Sequence, residues 1–315
     1  MSINLKGTSD NDSCIVKART VRRLSVIVRT AVNAGGAASL PALENVTLKC
    51  VLHRDGQKFP IFQDSLRILA LESMFFGCIE QLQNPSYMNI MNDGVFAPPR
   101  VYAQQLMIDL GSPINLQGRD ELHLEATANQ GWLTGAAATS SFTSSSTIAF
   151  KWRDEIGVET FIPTINSHYI TATHANFKRD LGDNVTSIAF INTQGQLPAG
   201  YVNDSNAIIR HMSLATDRYD LSDTIDEMIA RRNMQFPTQQ QAWFRANSWF
   251  VDLPGEVDRC SVDLLLNPQN VLTSANAIVY RSYIVHARTV NRAASIVAKH
   301  EQRNAAKLQA ELAKA

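Results

Sequence analysis

The sequence predicts a mainly β protein: two tandem eight-stranded jelly rolls, with short helices and a C-terminal helix. Three observations carry that expectation. Most candidate strands are short, either alternating apolar with polar residues or apolar throughout, and they are separated by Gly, Pro, Asn and Ser turns. The same succession of segments occurs twice along the chain. The length of 315 residues suits two ordinary domains of roughly 150 residues each, and a composition 45% apolar and 18% charged supports packed cores rather than disorder.

The strand candidates of the first half are Cys14–Ala18, Leu24–Thr30, Val46–Leu52, Leu106–Leu110, Glu121–Ala126 and Ile148–Trp152. Val46, Leu48, Cys50 and Leu52 alternate with Thr47, Lys49 and Val51, as a half-buried strand requires. The second half supplies Ser187–Asn192, Ala207–Leu214, Ser248–Leu253, Ser261–Leu266 and Ala277–Val285. Few segments look helical, and one of them recurs in the same setting. Asp64-Ser65-Leu66-Arg67 and Asp223-Thr224-Ile225-Asp226 each follow a strand and open on a helix N-cap candidate, the Asp or the Ser/Thr there being expected to accept from the free amides of the first turn, which gives Asp223 a role without a metal.

Later segments repeat in the same order. Met107–Gly111 answers to Phe250–Gly255, Leu122–Leu124 to Val262–Leu264, and Thr147–Lys151 to Ala277–Arg281. Four matches in collinear order imply two copies of one supersecondary plan. The spacing from helix to aspartate differs, 45 residues from Asp64 to Asp109 against 29 from Asp223 to Asp252, so the first copy carries an elaborated loop. That loop is Gly77–Arg100, marked by Asn84-Pro85, Asn92-Asp93-Gly94 and Pro98-Pro99. A second loop, Thr134–Ser146, is almost entirely Gly, Ala, Ser and Thr and reads as flexible surface. The polar, turn-rich stretch Arg153–Asp183 separates the copies, its apolar residues adding the second copy's first strand. The expected division is 1–156 for the first jelly roll, 157–291 for linker and second jelly roll, and 292–315 for an amphipathic C-terminal helix; along the breaker-free tail Thr289–Ala315, Val290, Ala294, Val297, Glu301, Leu308 and Leu312 fall roughly on one helical face.

Several function classes lose support. Arg29 and Glu72 interrupt the two most apolar regions, so no membrane span is expected, and the polar start Met1–Asp12 lacks a signal-peptide core, which predicts synthesis in the cytoplasm. Cys14, Cys50, Cys78 and Cys260 form no C-x-x-C pair and read as buried thiols. There is no G-x-S-x-G, Walker-type or H-E-x-x-H motif. Among seven histidines only His168 and His174 are close, at a spacing that aligns on a strand but not on a helix. Asp217, Asp220, Asp223 and Asp226 offer hard oxygen ligands but lack the glycine turn and closing glutamate of an EF-hand. No cofactor is expected, a structural calcium ion being the one exception left open. Asp120 with Glu121 and Asp154 with Glu155 are adjacent, so on a strand they point to opposite faces and make poor acid/base pairs for a glycan hydrolase.

The formal net charge is zero, from 29 basic and 29 acidic residues, yet the distribution is uneven. Residues 1–32 hold six basic residues against two acidic, and residues 288–315 repeat that excess. Arg19, Arg22 and Arg23 at one end, with Arg292, Lys299, Arg303 and Lys307 at the other, are the candidates for contact with a membrane or another anionic partner. The bland alternative is solvated strand and helix faces. Overall neutrality argues against a nucleic-acid coat, and no sequence-specific nucleic-acid partner is expected.

Taken with Asn176-Phe177-Lys178, the strand Ala207–Met212, the helix from Asp223 and Ala277-Ile278-Val279-Tyr280, this order of elements resembles the double jelly-roll major capsid proteins of membrane-containing icosahedral viruses. The similarity is nearest to the corticovirus-type coat proteins of bacteriophages, within the tectivirus and adenovirus lineage, and it covers both halves. The resemblance implies a structural protein and not an enzyme: a virion capsid component forming pseudo-hexagonal homotrimers that contact neighbouring capsomers, other capsid proteins and an internal viral membrane. Two alternatives remain from other classes. One is a glycan- or amide-hydrolysing enzyme built on two jelly rolls. The other is a carbohydrate- or receptor-binding module, which would need exposed aromatics among Trp132, Trp243 and Trp249, although Trp243 and Trp249 are expected in core or interface.

Overall fold

The computed structural model describes residues 2–6, 9–32, 42–74, 89–90, 100–129, 131–133, 145–170, 176–192, 209–218, 220–224, 248–253, 259–266 and 276–287, with 227, 230, 257 and 302 as single positions. Strands pair antiparallel throughout. In the first half, β1 (Ser2–Lys6), β9 (Thr147–Asp154), β3 (Thr20–Val32), β7 (Arg100–Asn115) and the two-residue β6 (Asn89–Ile90) form one sheet in that order. Facing it, β2 (Asp10–Val16), β8 (Glu121–Ala128), β4 (Val46–Arg54) and β5 (Gln57–Ser65) form the other.

In the second half, one sheet is β10 (Ile162–Ile170), β17 (Asn276–Ile284), β12 (Val185–Asn192) and β15 (Ser248–Asp252). The other is β11 (Asn176–Gly182), β16 (Cys260–Leu266), β13 (Ile209–Ala215) and β14 (Asp220–Thr224). With β6 set aside, both halves place their strands identically. The first, eighth, third and sixth strands make one sheet, and the second, seventh, fourth and fifth make the other. This is the strand order of the jelly roll, used twice. The three segment pairs matched in sequence fall on the sixth, seventh and eighth strands of each barrel.

The helix also recurs after the fifth strand. In the first barrel α1 (Leu66–Met74) follows β5 directly; in the second, Glu227 and Ala230 are helical after β14. Of the two cap candidates at each start, the hydroxyl residue is the one that caps. Ser65 Oγ accepts from the Ile68 amide at 3.3 Å, and Thr224 forms a capping box with Glu227, whose Oε2 accepts from the Thr224 amide at 2.7 Å. Asp64 and Asp223 stand one residue earlier, still in the strands, and both are buried. Asp64 Oδ1 accepts instead from the Ser65 amide at 2.6 Å.

Other differences have equally local causes. The strand expected at Cys14–Ala18 is Asp10–Val16, ending before Ala18, whose φ of +53° leaves the extended region. The hairpin β4–β5 closes on Asp55-Gly56, both at positive φ (51° and 76°), as a two-residue primed turn requires. Within Arg153–Asp183, β10 is the first strand that its apolar residues were expected to add, and β11 lies where only a boundary was expected. β11 is a sheet edge with mostly exposed side chains, so its sequence stays polar. Most of Gly77–Arg100 and Thr134–Ser146, Trp243, Cys78, and the C-terminal segment 289–315 apart from 302 lie outside the described residues. No described helix is long and apolar enough to cross a membrane.

Each barrel has a core, but the two cores are filled differently. β4 alternates buried and half-buried residues along its whole length. In β12 every residue from Ile188 to Ile191 is buried, because its sheet is covered on both sides. Ile188 and Phe190 join the second barrel's own core with Met212, Val262 and Leu264, while Ala189 and Ile191 join a cluster that extends through the first barrel. β17 divides likewise, with Ile278 turned into its own barrel and Ala277 and Val279 toward the first. Helix α1 contacts both β12 and β17 and so closes this outer face.

Candidate functional site

Charged side chains seldom enter a protein interior unpaired. Among the described residues most of those that enter it are paired, and one such pair sits at the seam between the barrels. Helix α1 carries Glu72 and β17 carries Arg281, both almost fully buried. Arg281 Nε donates to Glu72 Oε1, and Nη2 donates to Glu72 Oε2 at 2.7 Å and to the Asp109 carbonyl at 2.7 Å. The guanidinium thus grips one barrel from the other in the bidentate geometry that suits arginine. Gly111 makes room for it. A Cβ there would lie 2.7 Å from Arg281 Nη1, and the residue's φ of +84° already favours glycine.

Asp109 on β7 is the next link. Its carboxylate accepts from Arg22 Nε and Arg23 Nε, each at 2.9 Å, and from the Gly111 amide at 2.7 Å, while its own amide donates to Ser73 Oγ at 3.2 Å. Burial alone would raise the Asp109 carboxyl. The hydrogen bonds from Arg23 and Arg22 and from the Gly111 amide outweigh it and hold the pKa below the ordinary value. Arg22 and Arg23 are neighbours on β3 yet both reach one carboxylate, because the pairing of β3 with β7 is irregular between Val21 and Arg23.

A second buried cluster anchors the segment that connects the barrels. Arg54 at the end of β4 donates from Nε to Asp120 at 3.1 Å, from Nη1 and Nη2 to Glu159, and from Nη2 to the Asn115 carbonyl at 2.9 Å. Glu159 also accepts from the Asn115 amide at 2.6 Å. Burial opposes the charge on Arg54, and Glu159 and Asp120 more than offset it, so its pKa is raised. Farther along the seam, Tyr169 on β10 donates its hydroxyl to Asp64 at the end of β5. Burial pushes both the Asp64 carboxyl and the Tyr169 phenol upward.

These groups hold the barrels together. The expected opposite orientation of adjacent carboxylates is seen at Asp120, turned inward to Arg54, and Glu121, turned outward to Lys17 and His123. Asp154 and Glu155 are engaged separately, by Arg19 and Arg23. Trp132 is fully buried and offers no sugar-stacking surface, and Trp249 lies in β15 paired with Phe190. His168 packs on Tyr280 with its pKa lowered by burial, whereas His174 lies outside the described residues. Of the acidic cluster, Asp217 pairs with Arg218, Asp220 is exposed and Asp223 is buried. Cys50 and Cys260 are buried free thiols raised by burial, Cys260 to about 11, and Cys14 is half-buried.

The basic candidates separate. Arg22 and Arg23 belong to the Asp109 site, Arg19 is exposed beside Asp154, and Arg292, Lys299, Arg303 and Lys307 lie outside the described residues. One cluster had no counterpart in the sequence reading. His53, Glu121 and His123 present ligand-type atoms within 4.8 Å of one another on the outer face of the β4–β8 pair. About seventy positions of chain separate His53 from the other two, so residue spacing gives no hint of it. Only the strand register brings them together.

The strand order and the helix after the fifth strand make the comparison with known structures specific. The crystal structure of the STIV MCP, a major capsid protein, aligns over 90% of this chain and 96% of its own, with a TM-score of 0.50 and 13% identity. The fold is a double jelly roll. Alignments also extend to the atomic structure of Sulfolobus Turreted Icosahedral Virus (TM-score 0.48, 14% identity, 96% of this chain and 98% of that one) and to the major capsid protein P2 of bacteriophage PM2 (TM-score 0.46, 9% identity, 91% and 99%). No protein-family model and no curated protein sequence matches the chain.

Proposed function

We propose that this chain is a viral major capsid protein, assembling as a homotrimer of pseudo-hexagonal outline that tiles an icosahedral shell over an internal membrane. The observation that carries the reading is the strand-for-strand duplication. Three copies of two equivalent barrels present six similar sides to their neighbours.

The asymmetry of burial supports a definite contact within the trimer. On the second barrel, the outer face of the β10–β17–β12–β15 sheet is closed by α1 of the first. The equivalent sheet of the first barrel leaves Ile27, Met107 and Ala149 half-buried and Gln105, Arg29 and Lys151 exposed on one face. Lys151 stands on the eighth strand where Arg281 stands in the second barrel. In the trimer this face receives the helix that follows Thr224 in another copy, repeating between subunits the contact seen within one. Outward loops and sheet edges then make the weaker contacts to neighbouring capsomers and to other capsid proteins.

Size-exclusion chromatography with light scattering tests this. The wild-type chain should elute as a stable trimer near three times 34.9 kDa, and Ile27→Glu should yield folded monomer. A wild-type monomer at micromolar concentration would refute the reading. The basic ends are assigned to the membrane side, with the weight on Arg19 and the C-terminal Arg292, Lys299, Arg303 and Lys307, since Arg22 and Arg23 already serve Asp109. Each basic residue at an anionic surface contributes about 1 kcal/mol. Deleting residues 292–315 should therefore weaken binding to anionic vesicles while leaving the trimer intact; equal binding by the deletion would remove the membrane contact.

A further inference from the structure

We propose that His53, Glu121 and His123 form a surface binding site for a divalent transition-metal ion of the zinc class. Glu121 and His123 are two residues apart on β8, so their side chains share a face, and the register places His53 directly across from Glu121 on β4. Their ligand-type atoms already lie within 4.8 Å of one another. Two imidazoles and one carboxylate are the donor set of many zinc sites that leave a fourth position open. That position faces outward here, beyond Ile15 of β2, which is itself exposed.

Two details show what binding requires. The imidazoles of His53 and His123 are stacked, with centroids 4.0 Å apart and planes inclined by 18°, so their lone pairs lie in nearly parallel planes rather than converging on one point between the rings. Ligand atoms on one tetrahedral zinc ion are about 3.3 Å apart, given bonds of about 2.0–2.1 Å. Binding requires rotation of one ring about its own side-chain bonds to bring its nitrogen round to a shared ion, and both rings are only half-buried. The carboxylate already holds one cation, the Lys17 ammonium, through Oε1, and lies 2.9 Å from His123 Nε2 through Oε2. A dication bound between Glu121 and the two rings takes the place of the Lys17 ammonium. Lys17 is therefore a competitor, and its side chain is more than half exposed, so it moves away into water without cost to the core.

Titration of the metal-free, full-length protein with Co2+, followed by visible d–d absorption, tests the site. One equivalent should give the band of a low-symmetry four-coordinate ion, and excess Zn2+ should abolish it. His123→Ala and His53→Ala should each weaken binding by at least about tenfold, while Lys17→Ala should tighten it. These positions lie on the outer face, so circular dichroism of the variants should match wild type. Absence of the band in wild type, or a band of the same affinity in His123→Ala, would overturn the proposal, as would weakened binding in Lys17→Ala.

Discussion

At the scale of single residues, the seam rests on one buried ion pair, Glu72 with Arg281, whose partners come from different barrels. Breaking such a pair leaves an uncompensated charge inside and costs about 3–5 kcal/mol, whereas replacing both partners with apolar residues costs far less. Glu72→Ala should therefore destabilise the protein by that amount in urea unfolding, and adding Arg281→Met should restore most of it; an additive double variant would contradict the pairing. Asp109 makes a second prediction. Its folded pKa lies below the ordinary 3.8, so its contribution is complete above that pH and is lost as the pH falls through 3.8 toward the folded value. The stability difference between wild type and Asp109→Asn should be large at pH 7 and shrink below about pH 4; a difference independent of pH would count against the Arg22 and Arg23 contacts. None of these pairings was legible in the sequence. Glu72 registered there only as a charge interrupting an apolar run, and Arg281 only as the last residue of a repeated segment, because 209 positions separate the two.

At the scale of elements, the sequence was most informative where local pattern and burial agree. Val46–Leu52 alternates because one face meets the core and the other meets water. Ser187–Asn192 is nearly all apolar because its sheet is packed on both faces, a distinction visible in the residues before any pairing was known. Edge strands were harder to read. β11 has a single fully buried residue, Leu181, and β1 is only five residues long, so neither carries much periodic signal. The helix starts were legible as Asp-Ser and Asp-Thr, but not which residue of each pair caps, because aspartate and the hydroxyl residue after it are both good caps in isolation. The histidine–glutamate cluster belongs to this scale too, since it exists only through the register of β4 on β8.

At the scale of the whole molecule, four short matches in collinear order marked a duplication that the strand topology reproduces place by place. What the sequence could not show is that the two copies are not used alike. One barrel has its outer sheet face closed by the other's helix, and the equivalent face of the first barrel carries Ile27 and Met107 only half-covered, beside the exposed Lys151. The proposed packing of copies on one another draws on the acidic body of the chain, while at the basic N-terminal end Arg22 and Arg23 are already held by Asp109. Near-zero net charge removes the long-range repulsion that would oppose such packing. The most direct measurement is negative-stain electron microscopy of the purified chain in solution. Class averages should show a three-fold particle of hexagonal outline with six barrel-sized densities around its rim, whereas particles with two densities, or with two-fold symmetry, would contradict the proposed capsomer.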